Sequence, residues 1–173
     1  METDFCLGAV ASGRIDGWRA FQERFRALLS LVATSSGECR WVDADFGHWP
    51  IGERANVELL QQWMLSHDDA RLTLVAGQFE VMQRVHPRWL TWRQTWSHRV
   101  QCWQASDEIV PDLRAMFIWR DRSGDRAGLR MLDAVTAVGQ WTTDPATLSL
   151  WQADFDAYLQ RSSEGMPCTT LGL

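Results

Sequence analysis

Residues 87–103 read PRWLTWRQTWSHRVQCW, a stretch that holds four of the chain's eleven tryptophans and three of its arginines. The letters suit a surface that stacks nucleobases and holds phosphates, and they equally suit the interior of a protein. Spacing separates the two. From Phe79 the apolar positions run Phe79, Met82, Val85, Trp89, Trp92 and Trp96, at steps of three and four, which is one stripe along a helix. Arg84, Arg88 and Gln94 fall at other angles. Pro87 removes a backbone donor and divides or kinks that helix. After His98 the pattern changes to RVQCWQA, a strand that takes Trp103 with it. The stretch is therefore read as interior, with its indoles turned inward.

Charge points the same way. Between Val81 and Ser106 there are four arginines and no acidic residue, yet the whole chain carries −5 and lacks a broad positive field for phosphate backbones. Nucleic acid is not expected as a partner. With 173 residues, 46% hydrophobic and 23% charged, the chain fits one globular domain with a sizeable core. No apolar run is long enough to span a membrane, and METDFCLGAVASGR lacks the basic start of a signal peptide, so a cytoplasmic location is expected. Cys6, Cys39, Cys102 and Cys168 are scattered with no C-x-x-C pair, which suggests neither a zinc knuckle nor a disulfide framework. Cys39 and Cys102 read as buried thiols, and Cys6 and Cys168 as terminal ones. All seventeen basic residues are arginine. The missing lysine excludes a P-loop, a Schiff base and a kinase-type ATP site.

Outward from the tryptophan stretch, the elements alternate. DGWRAFQERFRALLSLVATS is a helix with Trp18, Phe21, Phe25, Leu28 and Val32 on one side and Asp16 as N-cap. CRWVDAD is a strand, ERANVELLQQWMLSH a helix, and RLTLVAG a strand covered on both faces. After VQCWQA, the segment LRAMFIWRD is a strand, RSGDRAG a turn, and LRMLDAVTAVGQW one return strand or two. Thr143-Asp144-Pro145 opens a last helix that buries Leu148, Trp151, Phe155, Tyr158 and Leu159. The order gives an α/β domain over residues 14–162, with an N-terminal extension over 1–13 and a tail over 163–173. Helical crossovers predict a mixed, mostly parallel sheet flanked by helices.

Candidate chemistry is sparse. Asp43, Asp45 and His48 in VDADFGHWP follow an apolar strand, where α/β proteins place ligand groups. They could hold a metal or pair an imidazole with a carboxylate, or simply cap the next helix and solvate a loop. His67, His86 and His98 lie at helix ends or polar angles and read as structural. G-x-S-x-G, H-E-x-x-H and G-x-G-x-x-G are absent.

The element order, with the strand pair VQCWQAS and LRAMFIWRD and the closing helix LWQADFDAYLQRS, resembles one half of the phospholipase D superfamily. It is most like bacterial single-domain members that also finish in a short tail such as TTLGL. Active members carry histidine, any residue, lysine, four residues and aspartate, and two halves face each other over one site. Laid on this chain, that motif places Arg114 at the histidine, Met116 at the lysine and Asp121 at the aspartate. Arginine stays protonated and is no nucleophile, and methionine brings no charge to a phosphate. The resemblance thus implies a degenerate, non-catalytic domain with no catalytic residues, no metal and no cofactor. It implies a homodimer through the site face, and a protein partner or small anionic ligand held near Asp45, His48 and Arg114. The alternative is a hydrolase with a replaced site, using the Asp43, Asp45 and His48 cluster for metal-assisted or acid–base hydrolysis.

Overall fold

The structure is a computed structural model of the chain and describes residues 9–166. In chain order it contains β1 (Ser12–Asp16), α1 (Gly17–Ala33), β2 (Glu38–Asp43), α2 (Arg54–Ser66) and β3 (Arg71–Ala76). Then come α3 (Glu80–Val85), α4 (Pro87–Thr95), β4 (Val100–Ala105), a single 3-10 turn (Val110–Asp112) and β5 (Met116–Arg120). β6 (Arg126–Asp133), β7 (Val138–Thr142), α5 (Pro145–Gln160) and β8 (Ser162–Glu164) complete it. All strands join one sheet in the order β1-β7-β6-β5-β2-β3-β4-β8.

The sheet is mixed rather than mostly parallel. Only β2–β3 and β3–β4 run parallel, as their helical crossovers require. β5 returns antiparallel on β2, and the short turns after it force β6 and β7 into antiparallel pairs. LRMLDAVTAVGQW is accordingly two strands. The first and last strands carry no apolar alternation, because SGRID has Ile15 alone among polar residues and glycine, and SSE is wholly polar. β1 pairs with β7 and β8 with β4, so the sheet takes in Ser12, Gly13, Ser163 and Glu164, beyond the expected limits of 14 and 162. Cys6, Cys168 and the TTLGL tail lie outside the described residues.

Each face of the sheet has its own core. Alternation along β5 sends Ala115, Phe117 and Trp119 to one side and Met116 and Ile118 to the other. The first side receives α1, α2 and α4. There Phe25, Trp41, Trp49 and Phe117 pack ring on ring at centroid distances of 5.4–6.4 Å, in edge-on, tilted and stacked arrangements. The second side is covered by α5, whose Leu148, Trp151 and Phe155 close over Val42, Val75 and Met116. α5 starts as its sequence predicts, with the Asp144 carboxylate accepting from the Thr147 N–H at 3.0 Å and Pro145 in the first turn. Asp16 occupies the N-cap position of α1 without capping it through its side chain, which pairs with Arg14 Nε at 2.6 Å instead.

The tryptophan stretch is interior. Trp89 is fully buried and Trp92 nearly so, while Trp96 is half-buried with its indole N–H donated to Gln61. Pro87 breaks the helix at His86, and the break shifts the phase of the stripe: Val85 turns out to solvent and His86 turns in. Arg99 then ties the region together. Its guanidinium donates to the carbonyls of Met64 and His67 at the end of α2 and lies 4.6 Å from the Trp96 ring centroid. A cation on the last carbonyls of a helix suits the helix dipole as well.

Arg99→Met removes both charge-assisted bonds while keeping the volume, so it is expected to lower unfolding stability by about 2–3 kcal/mol. Urea unfolding followed by tryptophan fluorescence measures this. Arg99→Lys is expected to recover less than half of the loss, because an ammonium cannot reproduce the fork.

Candidate functional site

The candidate residues meet where β2 ends and β5 begins. In the antiparallel register Val42 lies opposite Met116, so Asp43 and the loop after it stand beside Leu113, Arg114 and Ala115. Together with Trp18, Met131 and Ala134 they line a concavity of about 210 Å³, on which Asp43, Asp45, His48 and Arg114 all open.

The loop after β2 is held in a strained shape. Phe46 is fully buried and has φ of +59°, a left-handed backbone that a bulky residue avoids. Two side chains fix it. Asp43 Oδ2 accepts the Phe46 N–H at 2.9 Å, and His86 Nε2 lies 2.8 Å from the Phe46 carbonyl, a contact in which the imidazole must be the donor. His86 is buried, and burial lowers its pKa despite the pull of that bond, so the ring is the neutral Nε2–H tautomer. Gly52 leaves room for the imidazole, since a Cβ there would sit 2.7 Å from Nδ1. With Phe46 pinned, Gly47 donates to Asp45 Oδ1 at 2.8 Å, and the His48 ring stacks on Trp18 at 4.5 Å and 15°.

The polar groups are thus largely committed to the scaffold. Arg114 Nη1 donates to the carbonyls of Pro111 and Leu113 at 2.8 and 2.9 Å. Among the described residues no group of three or more histidines, cysteines or carboxylates is arranged to hold a metal ion. Asp43 and Asp45 each turn an oxygen to a backbone N–H, and His48 lies flat on an indole, so the spacing in the sequence does not become a ligand set. The remaining motif positions are structural. Met116 is buried under α5, and Asp121 sits at the far end of β5, where it accepts from Ser36 and Ser123. No local pattern marks His86 as the loop's anchor, because its partner is 40 residues away.

Burial pushes the Asp43 carboxyl up to about 6, and the neighbouring Asp45 charge adds to the rise, against the pull of the backbone N–H donors of Ala44, Phe46 and Asp45. The folded chain therefore keeps this proton to about pH 6, whereas an unperturbed carboxyl releases it near 3.8. Folding takes up a proton in that window, so stability falls as pH rises from about 4 to about 6, by roughly 2–3 kcal/mol from this group, and is level above. Asp43→Asn keeps an acceptor for the Phe46 N–H without the charge. Its unfolding free energy, measured in urea from pH 4 to 7.5, is expected to lose this component and to exceed that of the parent at pH 7.

No protein-family model and no curated protein sequence matches the chain significantly. Solved structures do. The chain is similar to a structure described as TrmBL2, an archaeal chromatin protein with a novel mode of DNA binding, with a TM-score of 0.59 and 10% identity, over 90% of this chain and 55% of that one. It is also similar to NucT from Helicobacter pylori, with a TM-score of 0.56 and 7% identity over 91% of this chain and 100% of that one. A phospholipase D family member, Nuc from Salmonella typhimurium, aligns with a TM-score of 0.55 and 8% identity over 92% of this chain and 99% of that one. Agreement over nine-tenths of the chain at such low identity is agreement of fold, and the fold is phospholipase D-like.

Proposed function

We propose that this chain is a non-catalytic domain of phospholipase D-like fold that works by binding a protein through the face around Arg114, and that its partner there is a second copy of itself. The observation that carries the reading is Arg114 itself. It stands at the mouth of the concavity, at the position where the resemblance puts a nucleophile, with its guanidinium bonded to two carbonyls. A permanent cation there cannot attack phosphorus, and no lysine exists to hold a phosphoryl group.

The surroundings favour a protein over a small anion. Asp43 and Asp45 share the concavity with Arg114, and Asp133, whose carboxyl is held low first by its bonds to Thr136 and Val135, also feels the Arg114 charge. One cation among three carboxylates does not concentrate anions. It does suit an isologous interface, in which the Arg114 of each copy meets carboxylates of the other. The turn between β6 and β7 adds apolar area, with Val135, next to the lining residue Ala134, 94% exposed.

The TrmBL2 likeness counts against the expectation that nucleic acid is not a partner, since a protein of this fold is described as binding DNA. The net charge of −5 and the buried Trp89 and Trp92 favour the expectation.

Sedimentation equilibrium across a concentration series tests the proposal. A dimer is expected, weakened roughly tenfold or more by Arg114→Ala and by Val135→Asp. A monomer at all concentrations, or a dimer indifferent to both changes, refutes it. The competing readings have their own assays. Hydrolysis of bis(4-nitrophenyl) phosphate that disappears in His48→Ala would establish the enzyme alternative. Tight, salt-sensitive quenching of tryptophan fluorescence by oligonucleotides would establish nucleic acid as the ligand.

A further inference from the structure

A second cavity lies at the opposite end of the sheet. The parallel register sets Val100 of β4 beside Leu72 of β3, which in turn lies beside Cys39 of β2, so the start of β4 is at the end away from Asp43. There Arg93, Ser97, His98, Gln101, Trp103 and Glu164, together with Val100 and Cys102, enclose about 440 Å³, within the range of small-molecule sites.

Arg93 is the unusual member. It is 7% exposed, its Nε is buried with no hydrogen-bond partner, and no ion pair or side-chain bond satisfies its guanidinium among the described residues. Arg99, six residues on, is as deeply buried but spends its guanidinium on two carbonyls. A guanidinium whose Nε–H is shut away from water with no acceptor is costly, and folded proteins seldom leave such a donor unmet without a reason. Arg93 sits on α4 and lines the cavity, so the partner it lacks has room to arrive from outside.

We infer that this cavity is a binding site for a small monocarboxylate with an apolar or aromatic body, held by a forked pair of hydrogen bonds from Arg93. One guanidinium matches the two oxygens of one carboxylate. A phosphate dianion would ask for further fixed cations, and besides His98 the other ionisable side chain of the lining is Glu164, which is exposed and of the wrong sign. Val100 and Cys102, which lie on the same face of the sheet as α4, offer a wall for the body of the ligand. The site shares no residue with the Arg114 concavity and does not depend on the dimer.

Isothermal titration calorimetry with benzoate, acetate and inorganic phosphate at matched ionic strength tests it on the full chain. Benzoate is expected to bind, at least about tenfold more tightly than acetate or phosphate. Arg93→Met is expected to weaken benzoate binding roughly tenfold or more, as losing a charged fork should. The same variant is expected to be at least as stable as the parent without ligand, because it removes a buried N–H that has no acceptor. Gln101→Trp, which fills the cavity and leaves Arg93 in place, is expected to abolish benzoate binding and keeps the test open should Arg93→Met fail to fold. The inference is overturned if benzoate does not bind, if phosphate binds in preference, or if benzoate binding survives Gln101→Trp.

Discussion

The geometry of the Arg114 face depends on Phe46 being held in a left-handed backbone. A bulky residue at φ of +59° is unfavourable by order 1–3 kcal/mol, and it persists only where neighbours over-determine it. Here one carboxylate takes its N–H and one imidazole donates to its carbonyl. That pin turns the chain sharply at the end of β2. It sends Trp49 into the aromatic cluster with Phe21, Phe25 and Phe117, and leaves Asp45 and His48 at the surface beside Arg114. Core and concavity are two sides of one constraint.

Much of the fold could be read from sequence where burial imposes a period. The helices carrying Phe21, Phe25, Leu28 and Val32, and Leu148, Trp151 and Phe155, bury those residues. The strands around Trp41, Leu74, Cys102 and Phe117 are also where their apolar runs put them. What the pattern lacked was the long range. SGRID and SSE become strands only because β7 and β4 offer free edges, and nothing local in so few residues, with Ile15 the single large apolar one, says so. The phase reset at Pro87 could be foreseen as a break, but its outcome, Val85 out and His86 in, depends on a carbonyl 40 residues away. The balance of parallel and antiparallel pairing failed for the same reason, since it follows from where β5 docks rather than from any one strand.

The candidate site was partly legible. Asp45, His48 and Arg114 do open on one concavity, although only their placement after β2 and before β5 pointed there. Their chemistry was not. A residue string cannot tell an acid that faces a ligand from one that faces a backbone N–H, and Asp43 and Asp45 are both engaged with the backbone. Arginine use is the converse case. With no lysine in the chain, every arginine-type contact falls to a planar fork, and Arg99 and Arg26 each show it spanning two acceptor atoms.

The outermost strands of the sheet are also the first and last among the described residues. Ser12 and Thr142, joined by a hydroxyl bond of 2.8 Å, are separated by 130 positions. During synthesis β1 therefore waits, unpaired, until nearly all of the domain has left the ribosome. At the other edge β8 can dock only after α5 has crossed the sheet. Such distant closures carry a large loop entropy and slow the final approach to the native state. Newly made chains would pass through an intermediate whose flanks are ragged, and that interval is when this domain is most exposed to edge-to-edge association.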